Sequence, residues 1–277
     1  MGKVKIKRKS TLIDMTAMSD VTVLLLTFFM LTSTFLQKEP TIVYTPSSVS
    51  EEKVPVKDLV TILVSSEDKT GKAEDPISTE GKIFISFAGD SILPSEQLRK
   101  DILTKAVAVY NQDGAGQRHK LMLDSAQINA FAKTNMMGTP FRFLPEVLSM
   151  EITKRDELMG DLGTSDPARA RMIGIPINYN TNENNLNDFQ VWMKALKLVA
   201  QDIREQTLQD KGLDPSNPDQ QEQIRSLEML YNSLMQGQSI SIKADKDTPF
   251  SVINQIFENL RFMDLNKFTL MTALKSN

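Results

Sequence analysis

The hydrophobic pattern begins with a long uncharged segment near the N-terminus. Residues 21–36 read VTVLLLTFFMLTSTFL and contain no charged side chain. A bilayer core requires about 20 helical residues, so the segment reaches that length only if it extends back through Asp20. Residues 13–36 are therefore predicted to form a transmembrane helix with an acidic side chain inside it. A carboxylate near the centre of a bilayer costs about 2.5–3.5 kcal/mol, which calls for a functional reason.

The residues before this segment, 1–12, are strongly basic. They include Lys3, Lys5, Lys7, Arg8 and Lys9. Because basic residues stay on the cytoplasmic side, residues 1–12 are predicted to be a cytoplasmic tip and the chain after one crossing to lie outside. A cleaved secretory signal has similar basic and apolar regions. Asp20 at the start of the run, and the lack of an A-x-A-like cleavage site after it, disfavour that alternative.

Strand and helix patterns follow the apolar segment. Residues 59–64 and 82–87 are predicted strands, and a helix pattern begins around Pro94. Together they predict the first half of a small mixed domain, residues 59–110. Residues 37–58 are rich in serine, proline and charge, and are predicted to be an extended tether between membrane and domain.

The C-terminal region, residues 236–277, predicts a strand, a helix and a second strand. The alternating or helically spaced apolar positions are Ile240, Ile242 and Ala244, then Phe250, Ile253, Phe257 and Leu260, then Phe268, Leu270 and Thr272. Pro249 precedes the helical positions and is interpreted as a first-turn residue. This unit is expected to close the same α+β domain.

Residues 111–235 intervene between the two halves and are predicted to form a mostly helical insertion. Apolar stripes at helical spacing run from Leu186 to Ile203 and from Ile224 to Leu234. A further helix is predicted through Leu144, Leu148 and Ile152. The overall fold class is thus a membrane-anchored α+β protein with one N-terminal helix and a domain that carries this insertion, to which the sequence assigns no activity.

Composition excludes several function classes. The 32 Lys+Arg against 35 Asp+Glu give a net charge of −3, which does not favour a nucleic-acid binder. There is no cysteine, and His119 is the only histidine, so disulfides, thiolate chemistry and multi-histidine metal sites are excluded. Asp245 and Asp247 lack the spacing of a calcium loop and are interpreted as solvated turn acids. The chain is expected to be no enzyme and to need no metal or organic cofactor.

Asp20 is the candidate functional residue. Thr27 lies seven residues after it and Thr16 one turn before it, so the three form a polar stripe on one helix face. A buried carboxyl group can alternate between its neutral and ionised forms, as a proton carrier must, provided partner helices enclose it. Two plainer interpretations are a hydrated acid at the membrane interface and threonines bonded to carbonyls one turn earlier.

The stretch IDMTAMSDV at residues 13–21, followed by LLLTFFMLTS, resembles the membrane signature of the ExbD/TolR biopolymer-transport proteins. Asp20 matches the protonatable aspartate of that family and Thr16 its threonine, whereas Ala17 replaces the usual proline. Residues 240–272, which contain IKADKDTP, resemble the family's closing strand, helix and strand. Residues 42–48, IVYTPSS, are similar to its extended stretch after the helix.

The resemblance implies an ExbD-like subunit of an inner-membrane motor that uses the proton-motive force to energise TonB-dependent outer-membrane transport. Asp20 would carry the coupling protons, with the N-terminus in the cytoplasm and the folded domain in the periplasm. The implied partners are a pentameric ExbB-like membrane protein, a second copy of this chain, a TonB-like energy transducer and membrane lipid, but no nucleic acid. The TolR branch instead implies envelope integrity with a peptidoglycan contact. A helix that merely anchors a binding or scaffold domain is a third interpretation.

Overall fold

The computed structural model describes residues 15–32, 43–48, 59–65, 82–89, 94–113, 119–162, 164–178, 180–227, 239–245, 248–271 and 273–274. The chain divides into two compact units, residues 1–38 and residues 39–277. In the first unit, Met15–Thr32 form helix α1. The helix predicted in this part of the sequence is therefore present.

The second unit is built on a mixed β-sheet. Its strands, with the short pair β1 and β8, are β1 (Ser47–Ser48), β2 (Leu59–Ser65), β3 (Lys82–Ala88), β4 (Met136–Met137), β5 (Ile175–Pro176), β6 (Ile240–Ala244), β7 (Thr269–Met271) and β8 (Ala273–Leu274). In the described residues the order is β4-β3-β2-β6-β7, with β5 also beside β3. Strand β2 pairs antiparallel with β3 and parallel with β6. The strands predicted at 59–64, 82–87 and 240–244 are thus confirmed and lie in one sheet.

The α-helices of the second unit, within the described residues, are α2 (Ser95–Gln112), α3 (Ser125–Ala132), α4 (Leu144–Ser149), α5 (Ile152–Gly160), α6 (Pro167–Ala170), α7 (Asp188–Asp210), α8 (Gln221–Leu227) and α9 (Phe250–Phe262). The helices predicted from Pro94, along Leu186–Ile203 and behind Pro249 are confirmed. Both prolines immediately precede their helices, so Pro249 is not a first-turn residue. Of the stripe predicted from Ile224, the part beyond Leu227 lies outside the described residues.

The single helix predicted through Leu144, Leu148 and Ile152 is wrong. Met150 has an extended backbone, with φ −73° and ψ 154°, and ends α4. Helix α5 begins two residues later. Apolar spacing alone could not show this break, because residues on both sides of it keep contact with the core.

One face of the sheet carries the main core, on which α2, α7 and α9 pack. Trp192 of α7 is stacked on Phe131 and Phe141 at ring-centroid distances of 5.5 and 4.9 Å, and lies 5.9 Å from Phe87 of β3. Aromatic pairs at such distances contribute beyond the area they bury. Since Phe131, Phe141 and Trp192 fall within residues 111–235, the predicted insertion forms part of this core.

The opposite face of the sheet is covered as well. Leu63 and Phe84 point away from the main core and form a second cluster with Val147, Leu158, Met159 and Ile173, which we call the second-face cluster. Covering both faces explains why Ser241 is fully buried beside Ile240 and Ile242. An alternating pattern is typical of strands with one exposed face, whereas sheets covered by helices on both sides bury both faces.

The stripe predicted for α9 is confirmed in part, because Leu260 is buried and Ile253 and Phe257 pack against the main core, but Phe250 does not. Val252, Ile256 and Leu260 are buried against the main core, whereas Phe250 is 72% exposed. At 100° per residue, Phe250 points about 200° away from Val252, so it lies on the far side of the helix. Phe257 is half-buried and stacks on Phe268 at 4.6 Å, at the edge of the core.

Gly138 provides a test of the second-face packing. A Cβ atom on this residue would lie 2.2 Å from Cδ1 of Phe84. Gly138→Ala should therefore lower the free energy of unfolding by about 1–3 kcal/mol. Urea unfolding of the full-length protein, followed by the emission of Trp192, the only tryptophan, measures the change. Gly212→Asn is the control: Gly212 has φ +62° with open space around it, and Asn tolerates that conformation, so a wild-type midpoint is expected. A wild-type midpoint for Gly138→Ala would contradict the packing.

Asp188, the first residue of α7, forms a hydrogen bond with the backbone of Phe141. Its Oδ2 accepts a hydrogen bond from the Phe141 N–H at 2.9 Å. Desolvation by burial raises the pKa of Asp188 above its ordinary value, and the hydrogen bond from Phe141 lowers it by less. The folded state therefore binds this proton more tightly than the unfolded state. The tighter binding of this proton stabilises the folded state at low pH, and this stabilisation is lost as the pH rises through the raised pKa of Asp188.

Asp188→Asn should accordingly stabilise the protein at neutral pH, because the amide avoids burying a charge and its oxygen still accepts from Phe141. The difference in free energy of unfolding between variant and wild type should grow from pH 4 to pH 7. Urea unfolding at several pH values measures it, and taking the difference removes the effect of other titrating groups. A difference that shrinks with rising pH would contradict the assignment.

Candidate functional site

Helix α1 presents a largely apolar surface, apart from the face that carries Asp20 and Thr27. Its side chains from Met18 to Met30 are exposed in the isolated chain. The large apolar ones are Met18, Val21, Val23, Leu24, Leu25, Leu26, Phe28, Phe29 and Met30, each more than half exposed. Exposed apolar surface of this extent marks a site of contact with lipid or with other proteins.

Asp20 lies in the second turn of α1 and is exposed in the isolated chain. From Met18 to Met30 it is the only charged residue. From Met18 to Met30, α1 thus offers one carboxyl group on an otherwise apolar or hydroxyl-bearing helix surface. Such a group can gain or lose a proton according to how well its surroundings solvate charge.

The threonines of α1 bond to their own helix. Thr27 Oγ1 donates to the carbonyl oxygen of Leu24 at 2.9 Å, and Thr22 Oγ1 lies 2.8 Å from that of Ser19. Seven residues of helix rise amount to about 10 Å, so Thr27 does not reach Asp20 directly. The side chain of Thr16, the other member of the predicted polar stripe, lies outside the described residues. For Thr27 the plainer interpretation of a back-bonded hydroxyl is supported.

Within the described residues, no helix combines the length and the apolarity needed to cross a membrane. The predicted span of residues 13–36 also includes residues 13–14 and 33–36, which lie outside the described part of the chain. The membrane crossing therefore stays a prediction. No group of His, Asp or Glu in the described ranges is arranged to hold a metal ion.

Asp245 has a contact that the sequence interpretation missed. It follows β6 directly, is half-buried, and its Oδ2 accepts a hydrogen bond from the Tyr44 N–H at 3.3 Å. Its carbonyl oxygen accepts from the Thr248 N–H at 3.0 Å. Asp245 thus lies in a turn, as interpreted, but its carboxylate also bonds to Tyr44, which the sequence interpretation did not include. Asp247 lies outside the described residues. A separation of 201 residues between Tyr44 and Asp245 left no local signal for this contact.

Residues 43–48 lie within the predicted tether of residues 37–58, yet they are attached to the folded unit. Strand β1 pairs in parallel with β8, so that Ser47 lies opposite Ala273 and Ser48 opposite Leu274. Val43 packs against the second-face cluster. This part of the predicted tether is therefore docked rather than free.

Residues 7–135 match the family model for the biopolymer transport protein ExbD/TolR. This part of the chain is similar to the ExbD/TolR family. The resemblance recognised from the residues around Asp20 is confirmed, and the match extends through β2, β3 and α2 to α3. No curated protein and no solved structure matches the chain significantly.

The ExbD/TolR match covers slightly less than half of the chain. It runs into the predicted insertion of residues 111–235 and ends before residues 240–272, whose similarity to the family stays a prediction. The family assignment carries a function associated with biopolymer transport and membrane-protein partners in a transport complex. Proteins of this family are membrane-anchored.

The back-bonded hydroxyl of Thr27 leads to a prediction about the helix face that carries Asp20. Thr27→Val keeps the shape of the side chain and removes a hydroxyl that already bonds within the helix. A strain that lacks the natural gene should therefore regain near-normal growth with this variant in a complementation assay. Thr22→Val, whose hydroxyl is bonded in the same way, is the matched control. Loss of complementation by Thr27→Val alone would show that Thr27 acts beyond its own helix.

Proposed function

We propose that this chain is the ExbD-like subunit of an inner-membrane motor driven by the proton-motive force, and that Asp20 is its proton carrier. The observation that carries the proposal is the position of Asp20. It is the only charged residue between Met18 and Met30 of α1, and it lies within the part of the chain that matches the ExbD/TolR family model.

The chemistry follows from the surroundings of that carboxyl group. Against apolar helices the neutral acid is favoured, and next to water the carboxylate is favoured. A membrane potential contributes about 2.3 kcal/mol per elementary charge per 100 mV, enough to bias a cycle in which protons pass one at a time. Asp20 would thus bind a proton on one side of the membrane and release it on the other while α1 moves relative to its partners.

The proposed partners are those that such a helix requires. A carboxyl group facing lipid has no access to water, so a multi-helix, ExbB-like pentamer would enclose two copies of α1. The basic residues in 1–12 support a cytoplasmic N-terminus, which puts the second unit in the periplasm. There it would deliver work to a TonB-like protein that energises transport across the outer membrane.

The decisive variant is Asp20→Asn, which keeps the size and polarity of the side chain but cannot exchange a proton. We expect TonB-dependent uptake to be abolished, while expression and co-purification with the multi-helix partner stay normal. Uptake of a TonB-dependent substrate and pull-down from membranes measure the two properties. Asp20→Glu is the matched control, since it retains a carboxyl group and should retain part of the uptake.

The alternatives give different results with the same variants. Normal uptake with Asp20→Asn would overturn the proposal and favour α1 as a plain anchor. Normal uptake combined with detergent sensitivity and leakage of periplasmic protein would favour a TolR-like role in envelope integrity. Loss of partner co-purification with Asp20→Asn would mean that the acid supports assembly rather than proton transfer.

A further inference from the structure

Three contacts hold residues 43–48 on the folded unit. The Tyr44 N–H donates to Oδ2 of Asp245, β1 pairs with β8, and Val43 packs against the second-face cluster. We call residues 43–48 the strap. Two of these contacts lie on separate parts of the C-terminal region, the turn after β6 and strand β8, and the third lies on the second-face cluster. The strap therefore joins the beginning of the second unit to its end.

Each contact of the strap is small. The β1–β8 pair consists of two residues on each strand, and the hydrogen bond to Asp245 is 3.3 Å long. The Tyr44 side chain is 66% exposed, so it adds little burial to the docked state. Segments with few buried apolar contacts open at a low free energy compared with the core of the same domain. Val43, Thr45 and Pro46 are half-buried rather than buried, so the described part of the strap contributes no residue to the fully buried core.

The strap also occupies a special place along the chain. It lies between the unit that contains α1 and strand β2, which is central in the sheet. A pull from α1 on the folded unit reaches the strap contacts before it reaches β2. While the strap is docked, this pull acts on Asp245 and β8. After it detaches, the pull acts on β2 itself.

We propose that residues 43–48 form a detachable strap, and that its release lengthens the connection between α1 and the sheet. This inference rests on the proposed function, because it assigns the strap a part in passing motion from α1 to the folded unit. The sixteen residue steps from Val43 to Leu59 provide a contour length of about 50 Å when extended. While the strap is docked, a pull from α1 ends at the strap contacts, and after release the segment from Val43 to Leu59 becomes part of the connection.

Asp245 acts in this device as a positioning residue. Its carboxylate accepts from a backbone N–H of the strap, and such charge-assisted hydrogen bonds are stronger than neutral ones. The hydrogen bond from the Thr248 N–H to its carbonyl oxygen fixes the turn that presents the carboxylate. The acid that the sequence pattern suggested to be a bystander thereby holds the strap on the fold.

The absence of cysteine allows a direct test by disulfide trapping. In Ser47→Cys/Ala273→Cys the two thiols stand at opposed positions of the β1–β8 pair. We expect diamide to form an intramolecular disulfide in the full-length protein in cells, seen as a mobility shift on a non-reducing gel. Uptake of a TonB-dependent substrate should fall on oxidation and recover with a reductant. The two single-cysteine variants are the controls and should show neither change.

Each of the following outcomes would overturn the proposal that residues 43–48 form a detachable strap. A disulfide that forms completely but leaves uptake normal shows that release is not needed. No disulfide beyond that of the single-cysteine variants shows that the docked state is not populated. A band of twice the mass shows that β1 pairs with β8 of a second copy. Disulfide yield is read without any transport, so loss of the proposed function, shown by normal uptake with Asp20→Asn, is distinguished from loss of the strap.

The role of Asp245 is tested in the same double-cysteine background. Asp245→Ala removes the acceptor and should lower the disulfide yield several-fold, whereas Asp245→Asn retains an oxygen and should lower it less. Asp210→Ala, at the exposed end of α7, is the matched control and should leave the yield unchanged. Trp192 emission verifies that each variant is folded. Equal yields for Asp245→Ala and Asp210→Ala would overturn the role of Asp245.

Discussion

The parallel pairing of β2 with β6 is the constraint on which the second unit depends. It brings Val60 opposite Ile240, so about 180 intervening residues must return the chain to the neighbouring position in the sheet. A parallel neighbour requires a crossover connection, and in the described residues this crossover contains strands β3, β4 and β5 and helices α2 to α8. The cost of closing so long a connection is offset because the returning residues cover the sheet on both faces. The predicted insertion, residues 111–235, therefore forms part of the core and is not a separate addition to the fold.

Much of this fold could be predicted from the sequence because the signals are local. The strands β2, β3 and β6 and the helices α2, α7 and α9 each carry a regular apolar repeat that identifies the element without knowledge of its partners. The errors have a different origin. The break at Met150 and the exposed Phe250 depend on which faces the rest of the chain covers, and the spacing of one segment contains no information about that.

Some features of the candidate site could likewise be predicted from the sequence, and others could not. Asp20 could be recognised from the sequence, because a charge within an apolar helix is unusual whatever surrounds it. Thr27 could be grouped with Asp20 by spacing, but only the geometry shows that its hydroxyl bonds to Leu24. The contact of Asp245 with Tyr44 could not be predicted, since neither residue has a distinctive local pattern and their meeting requires the complete sheet. The chemistry at Asp20 depends further on partner helices, which no property of this chain specifies.

The edge of the sheet at β3 has a consequence for the behaviour of the protein in a crowded compartment. Strand β4 pairs with Ile85 and Ser86, whereas β5 pairs with Lys82 and Ile83, so two very short strands divide the outer edge of β3 between them. An uncovered edge of a seven-residue strand would offer a template on which unrelated chains could polymerise. Two staggered fragments leave no continuous row of free amides and carbonyls on that side. The same residues that complete the core thereby protect the protein from aggregating.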